Sequence, residues 1–347
     1  MPGNMSRFVL ALLAALVSSG AAGAQNAEEF FRSHDVTIVT SGDAGGGYDA
    51  YSRMLSRYMP RYLPGNPTVV VSNMPGGGGI RAANYIYNVA PKDGSVIALI
   101  DRGMATAPLL YGSDSKAQFD AVKFTWLGSA MQESGMGVVS ARVPVHDLEE
   151  AKHTDLVFGS TGPEADTSMY ARLTNELLGT HVRVINGYTG QPEIFQAIEK
   201  GELQGLFMSG WSGNGRAYVR DQMAKGQMRL LVQMAKDGDP AHADIPTIRH
   251  LVTKPQDQQI VDLILARLSL GRPFVAPPGV PADRAELLRT AFRRAIEDPE
   301  LRSEAERLKL AINPIFGADA QAIVEKLYAT PAPIVERTRA IVRVSGH

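Results

Sequence analysis

Short apolar runs alternate with stretches of helical spacing along most of the chain. Val36 to Thr40 reads as a strand, a glycine-rich turn follows, and a helical stretch runs from about Tyr48 to Tyr58. The pattern then repeats: Thr68 to Ser72 predicts a strand, Asn73 to Gly79 a second glycine-rich turn, Ile80 to Val89 a helix, and Val96 to Ile100 a third strand. Strands joined by helices of this length form parallel βαβ units, whose ligands sit at the carboxyl ends of the strands. Both glycine turns therefore fall on one rim.

A second series runs through Gly137 to Ser140, Leu156 to Phe158, Arg183 to Ile185, Leu206 to Met208 and Leu230 to Gln233, with helices such as Thr167 to Leu178 between them. It predicts a second α/β lobe. Leu268 to Val275 leads into the stiff turn Pro277-Pro278-Gly279-Val280-Pro281. Leu287, Leu288, Ala291, Phe292, Ala295 and Ile296 then mark one side of an amphipathic helix, which Asp298-Pro299 ends. A further helical pattern covers Ala320 to Tyr328, and Pro331 and Pro333 break it before a last helical piece.

The amino terminus decides the compartment. Arg7 supplies a positive start, Phe8 to Val17 is apolar, and Ala22-Gly23-Ala24 offers a small-x-small cleavage site before Gln25. The apolar run falls short of the roughly 20 residues a spanning helix needs. Residues 1–24 thus read as a cleaved signal peptide, which places the mature chain in the periplasm.

With 347 residues and 44% hydrophobic content, the chain can bury the cores of two domains. Lys+Arg number 35 against 36 Asp+Glu, so no broad basic field draws nucleic acid. Loss of Arg7 with the leader leaves 34 against 36, a net charge of −2, so any anion site must be local. There is no cysteine, which excludes disulfides, thiolate metal sites, cysteine nucleophiles and a lipid-modified leader. The expected product is a soluble monomer with no cofactor.

Four turns carry the candidate chemistry. Gly42-Asp43-Ala44-Gly45-Gly46-Gly47-Tyr48-Asp49 leads from a strand into a helix, where adjacent glycines permit close backbone approach and unpaired N–H groups favour an anion. Asp49 can cap that helix or accept a hydrogen bond from a ligand. Asn73-Met74-Pro75-Gly76-Gly77-Gly78-Gly79 repeats the arrangement one unit later. In the second lobe, Gly159-Ser160-Thr161-Gly162 precedes the helix that begins near Thr167, and Asn186-Gly187-Tyr188-Thr189-Gly190 precedes the Glu193 to Lys200 helix. The candidate ligand contacts are Gly45, Gly46, Gly47, Tyr48, Asp49, Asn73, Gly77, Gly78 and Gly79 on one side. Ser160, Thr161, Gly162, Thr167, Tyr188, Thr189 and Gly190 face them.

Other chemistries fit poorly. Arg81 stands where a dinucleotide fingerprint needs its third glycine, and no G-x-x-x-x-G-K-[ST] loop occurs. Gly210-Trp211-Ser212-Gly213-Asn214 resembles a nucleophile elbow but ends in asparagine. The seven histidines form no i, i+4 pair and no H-E-x-x-H motif. A hydrolase or transferase is accordingly the weaker alternative, behind a receptor or a ligand-sensing module.

Ala44-Gly45-Gly46-Gly47-Tyr48-Asp49-Ala50-Tyr51-Ser52-Arg53 resembles the P-G-G-G-x-D-x-x-A-R stretch of the substrate-binding receptors of tripartite tricarboxylate transporters, the TctC or Bug family. Asn73 to Gly79 followed by Ala90-Pro91-Lys92-Asp93-Gly94 is similar to its N-x-x-G-A-G-G and A-x-P-D-G marks. Phe158-Gly159-Ser160-Thr161-Gly162 resembles its G-S-x-G loop, and Val275-Ala276-Pro277-Pro278-Gly279-Val280-Pro281 its V-A-P-x-G-T-P segment. Asn186-Gly187-Tyr188-Thr189-Gly190 departs from V-P-Y-K-G by losing proline and lysine.

The resemblance implies an α/β, type II-like, two-lobed Venus-flytrap fold with two crossover segments, residues 25–130 and 270–347 forming one lobe and 131–269 the other. It also implies a small organic carboxylate as ligand and the membrane subunits of a tripartite transporter as partners. In that arrangement the first-lobe turns hold one carboxylate through backbone N–H groups and ordered water. The second-lobe turns close on the other end, and no arginine clamp is required.

Overall fold

The computed structural model describes residues 27–343 except 164, 209 and 212, with only the backbone of 213 and 214. The proposed leader, residues 1–24, lies outside the described residues.

β1 (Val36–Thr40) pairs in parallel with β2 (Val69–Asn73) on one side and with β3 (Val96–Leu99) on the other. The register sets Thr40 opposite both Asn73 and Leu99, so the carboxyl ends of all three strands lie in one row. This is the predicted common rim. Side chains alternate across the sheet: Ile38, Ile97 and Leu99 enter one core, while Val39, Val96 and Ala98 enter the core on the opposite face. Helices Gly47–Tyr58 and Ala282–Glu297 cover the first face. Ile80–Asn88 and Gly317–Tyr328 cover the second.

After β4 (Thr125–Ser129) the chain leaves for a second sheet built from β5 (Gly135–Ser140), β6 (Asp155–Ser160), β7 (His181–Asn186), β8 (Gly205–Met208) and β9 (Met228–Met234). Their spatial order is β7-β6-β8-β5-β9. β6 and β7 are parallel, with Ser160 opposite Asn186, so the two predicted second-lobe turns also leave from one row. The chain then returns as β10 (Pro273–Ala276) and β11 (Ile315–Phe316), completing the first sheet in the order β11-β4-β10-β3-β1-β2.

Both sheets are mixed rather than uniformly parallel. β10 runs antiparallel to β3 and β4, and β5 antiparallel to β8 and β9. These are the strands entered from the crossovers, where the chain arrives from the other sheet rather than through a covering helix.

Two features of the crossovers bear on function. The second crossover contains helix Pro255–Ser269, which packs on the last helix, Ala332–Val342. The reading of residues 270–347 as one lobe puts that last helix with the first sheet, and it packs both on Ala107–Tyr111, before the first crossover, and on Asp166–Leu178. Ile334, Val335, Ile341 and Val342 are buried with Leu110, Leu173, Ile260 and Ile264 in one core cluster. Arg172 caps it by donating to the carbonyls of Ile341 (3.0 Å) and Val342 (3.1 Å). Among the described residues no helix is long and apolar enough to cross a membrane.

Candidate functional site

The two first-lobe turns are fastened to one another by a polar triangle. Asp49 lies in the first turn of its helix, whose N-cap position, Gly46, makes no side-chain cap. Its carboxylate reaches back to the Gly45 N–H (2.9 Å), accepts from Arg53 Nε (2.8 Å), and accepts from Asn73 Nδ2 (2.9 Å). Asn73 also donates to the Gly42 carbonyl at 3.0 Å. Arg53 beside Asp49 lowers its pKa to about 2, with the Gly45 and Asn73 bonds reinforcing the effect against burial. Asp49 and Asn73 thus shape the turns from behind, and of the two roles open to Asp49 the structure displays an internal one.

The run of four glycines has a backbone reason. Gly76, Gly77, Gly78 and Gly79 have φ of 132°, 56°, 60° and 99°, a stretch of conformations that residues with a Cβ avoid. Gly79 is also pressed against the third strand end, since a Cβ there would sit 2.6 Å from Asp101 Cβ. Asp101 meets the first turn as well: Tyr48 donates its hydroxyl to Asp101 Oδ2 at 2.8 Å. Burial pushes the Tyr48 phenol upward, with the Asp101 charge adding to it, so it acts as a neutral donor. One residue, Asp101, therefore borders both glycine turns.

In the second sheet the predicted hydroxyls are turned inward. Ser160, Thr167 and Ser168 are buried. Ser160 Oγ lies 2.6 Å from Thr167 Oγ1 and 2.7 Å from Ser168 Oγ, and Ser168 donates to Asn186 Oδ1 at 2.8 Å. These groups tie the two second-lobe turns together. Thr161 is exposed and Gly162 and Tyr188 half-buried. Thr189 is engaged by Glu193, whose Oε2 accepts from its N–H (2.7 Å) and its hydroxyl (2.9 Å).

The helix starts differ in what they offer an anion. None of the four following the candidate turns has a side-chain cap. Three carry an acid in the first turn, Asp49, Asp166 and Glu193, which absorbs part of the N-terminal charge. The Ile80 helix carries none. Its turn keeps Gly77 and Gly78 exposed, and the exposed Arg81 lies alongside, its Cδ 3.5 Å from where a Gly76 Cβ would be.

Sequence reasoning missed the charged groups where the two rims meet. Arg102, just beyond β3, pairs with Asp166 at the start of the helix after β6, and also with Glu133 in the first crossover. Arg267 reaches Asp166 Oδ1 at 3.0 Å, and Arg272 reaches Glu133 Oε1 at 3.1 Å. The Arg272 guanidinium lies 4.6 Å from the Tyr48 ring centroid. Burial works against the Arg102 charge, but the Asp166 carboxylate outweighs it and the pKa is raised. A signal existed for one of these residues: Arg102, next to Asp101, directly follows the third apolar run, at the same rim as the glycine turns. Among the described residues no group of His, Asp and Glu could hold a metal ion.

Known proteins share this fold. A curated Agrobacterium vitis protein, described as the UPF0065 protein in the TAR-I ttuE-ttuC' intergenic region, is 26% identical over 305 residues, covering 85% of this chain and 80% of its own length. A TctC solute binding protein from Polaromonas superposes with a TM-score of 0.69 at 18% identity, covering 89% of this chain and 98% of that one. MatC from Rhodopseudomonas palustris with bound malate superposes with a TM-score of 0.57 at 20% identity, covering 90% and 99%. The model of the tripartite tricarboxylate transporter family receptor matches residues 53–332. Two α/β sheets joined by crossovers, glycine turns gathered on facing rims and this match over most of the sequence establish that the chain belongs to the TctC family of tripartite tricarboxylate transporter receptors.

Proposed function

We propose that this receptor is an extracytoplasmic solute-binding protein that captures a small organic carboxylate and delivers it to the membrane subunits of a tripartite transporter. The observation that carries the reading is the Gly76–Gly79 turn: its helix start has no side-chain cap, is free of first-turn acid and is partly exposed at Gly77 and Gly78. N–H groups there meet a carboxylate without a competing internal charge. Gly77, Gly78 and Gly79 form the principal seat in this proposal, with Gly45 to Gly47 and Tyr48 beside it. Thr161, Gly162, Tyr188 and Gly190 close from residues 131–269. Asp49, Asn73, Ser160, Thr167 and Thr189 set the shapes of these turns.

The malate held by one solved relative supports a carboxylate ligand. Charge-assisted hydrogen bonds contribute roughly 1.5 to 3 kcal/mol each, so four or five offset an association cost of about 4 to 15 kcal/mol. No residue in the seat is arranged as a nucleophile with its base, which favours a receptor over an enzyme. The leader-like first 24 residues support a periplasmic location.

The test is calorimetric titration of the mature protein with C4 and C6 dicarboxylates, tricarboxylates, aromatic acids and acidic amino acids. One of these classes should bind with a Kd near the micromolar range, about −8 kcal/mol, and Gly78→Val should lose that binding while staying folded. A protein that binds none of them, or a Gly78→Val variant with undiminished affinity, refutes the assignment.

A further inference from the structure

The charged groups between the rims form an alternating chain: Arg267, Asp166, Arg102, Glu133, Arg272. They come from four places in the fold. Arg102 belongs to the first-sheet rim, Asp166 to the second, Glu133 to the first crossover, and Arg267 and Arg272 to the second. None of the five side chains is more than 16% exposed. Arg102 sits in the middle, holding an acid of the second sheet's helix and an acid of the crossover at once.

The sheets are also joined by chemistry of a different kind. The Ala332–Val342 helix buries Ile334, Val335, Ile341 and Val342 against the middle segment, and Arg339 donates to the Leu109 carbonyl at 2.9 Å. That helix therefore touches material belonging to both sheets.

We propose that these two connections divide the labour of opening: the ionic chain is a releasable latch on the rim, and the last helix is the pin about which the lobes swing. The physical asymmetry is solvation. When rims separate, guanidinium and carboxylate groups exchange protein partners for water, so the ionic contact breaks with much of its cost returned. Apolar side chains of the last helix gain nothing comparable from water, so that contact persists. Arg102 is the positioning residue of the latch, because it alone bridges Asp166 and Glu133. The proposal goes beyond the solute assignment and holds whichever solute the rims accept.

The chain has no cysteine, so Lys92→Cys and Lys200→Cys, at exposed positions on the first and second lobes, give one clean spin-label pair for distance measurement. The parent pair should show one narrow distance. Asp166→Asn and Arg102→Met should each add a longer component, with the open fraction up by about tenfold or more. Lys225→Gln, which removes an exposed ion pair with Asp221 at the end of the second lobe away from the rims, should leave the distribution as in the parent. Two results overturn the latch: a parent distribution already broad, or folded Asp166→Asn and Arg102→Met proteins that match the parent. Either variant suffices alone if the other fails to fold.

Discussion

Arg53 Nε donates to Asp49 Oδ2 at 2.8 Å, and through this contact a residue one helical turn onward holds both glycine turns in register. The same guanidinium reaches Asn73 Oδ1 at 3.3 Å, so the two turns share a single buried carboxylate.

That carboxylate gives a pH signature. Its pKa falls to about 2 in the folded protein, chiefly through Arg53, against about 3.9 in an unfolded chain. A depressed folded value contributes stability that is complete above the unfolded pKa and is lost as pH falls from about 4 toward 2. In urea denaturation, the stability gap between the parent and Asp49→Asn should be constant from pH 7 to 5 and shrink below pH 4. A gap independent of pH down to 3 contradicts the assignment of the ionised form.

The glycine run separates fold from function. Gly79→Ala places a Cβ 2.6 Å from Asp101 Cβ at φ 99°, so it should cost about 3 kcal/mol or more. Gly78→Ala meets nothing within 4 Å and carries only its φ of 60°, a cost of about 1 to 2 kcal/mol. Thermal melts should rank the two in that order. Equal losses would show that the Asp101 contact does not limit this turn.

Much of this was legible in the sequence because alternation and helical spacing report burial on one face. Val36–Thr40 and the helix after Gly79 fall where their apolar spacing puts them. Helix Pro255–Ser269 gave no such stripe, since Ile260, Val261, Leu263, Ile264, Leu265 and Leu268 are buried on several sides at once. The glycine turns could be placed on one rim, but the inward rotation of the Ser160 and Thr167 hydroxyls depends on Ser168 and Asn186, contacts that periodicity does not encode. Arg102 and Asp166 meet only because two sheets do, over 64 positions of sequence.

The second-lobe turns should prove stiff. Ser168 Oγ bonds to Ser160 Oγ, the Gly162 carbonyl and Asn186 Oδ1 within 2.8 Å. Ser168→Ala removes the hydroxyl that joins the two turns, a loss of about 0.5 to 1.5 kcal/mol. Thr161→Ala, at an exposed position, should change stability by less than about 0.5 kcal/mol. Chemical denaturation of both variants checks the contrast, and a Ser168→Ala protein as stable as the parent removes the argument that this network sets the turns.

The last helix offers a test in which sequence position and structural effect come apart. Ile341 is 6% exposed and its carbonyl accepts from Arg172 Nε, in the helix Asp166–Leu178. Ile341→Ala should cost about 2 to 4 kcal/mol by leaving a void in that core. Because packed neighbours lose protection together, hydrogen exchange should quicken in Asp166–Leu178 and Pro255–Ser269, far away in the chain, more than in Ala282–Glu297, which is nearer in sequence but packs on the first sheet. Faster exchange confined to Ala282–Glu297 and the first sheet would mean that the helix belongs energetically to the lobe its sequence position suggests. Deuteration measured peptide by peptide therefore decides which lobe carries the carboxyl terminus.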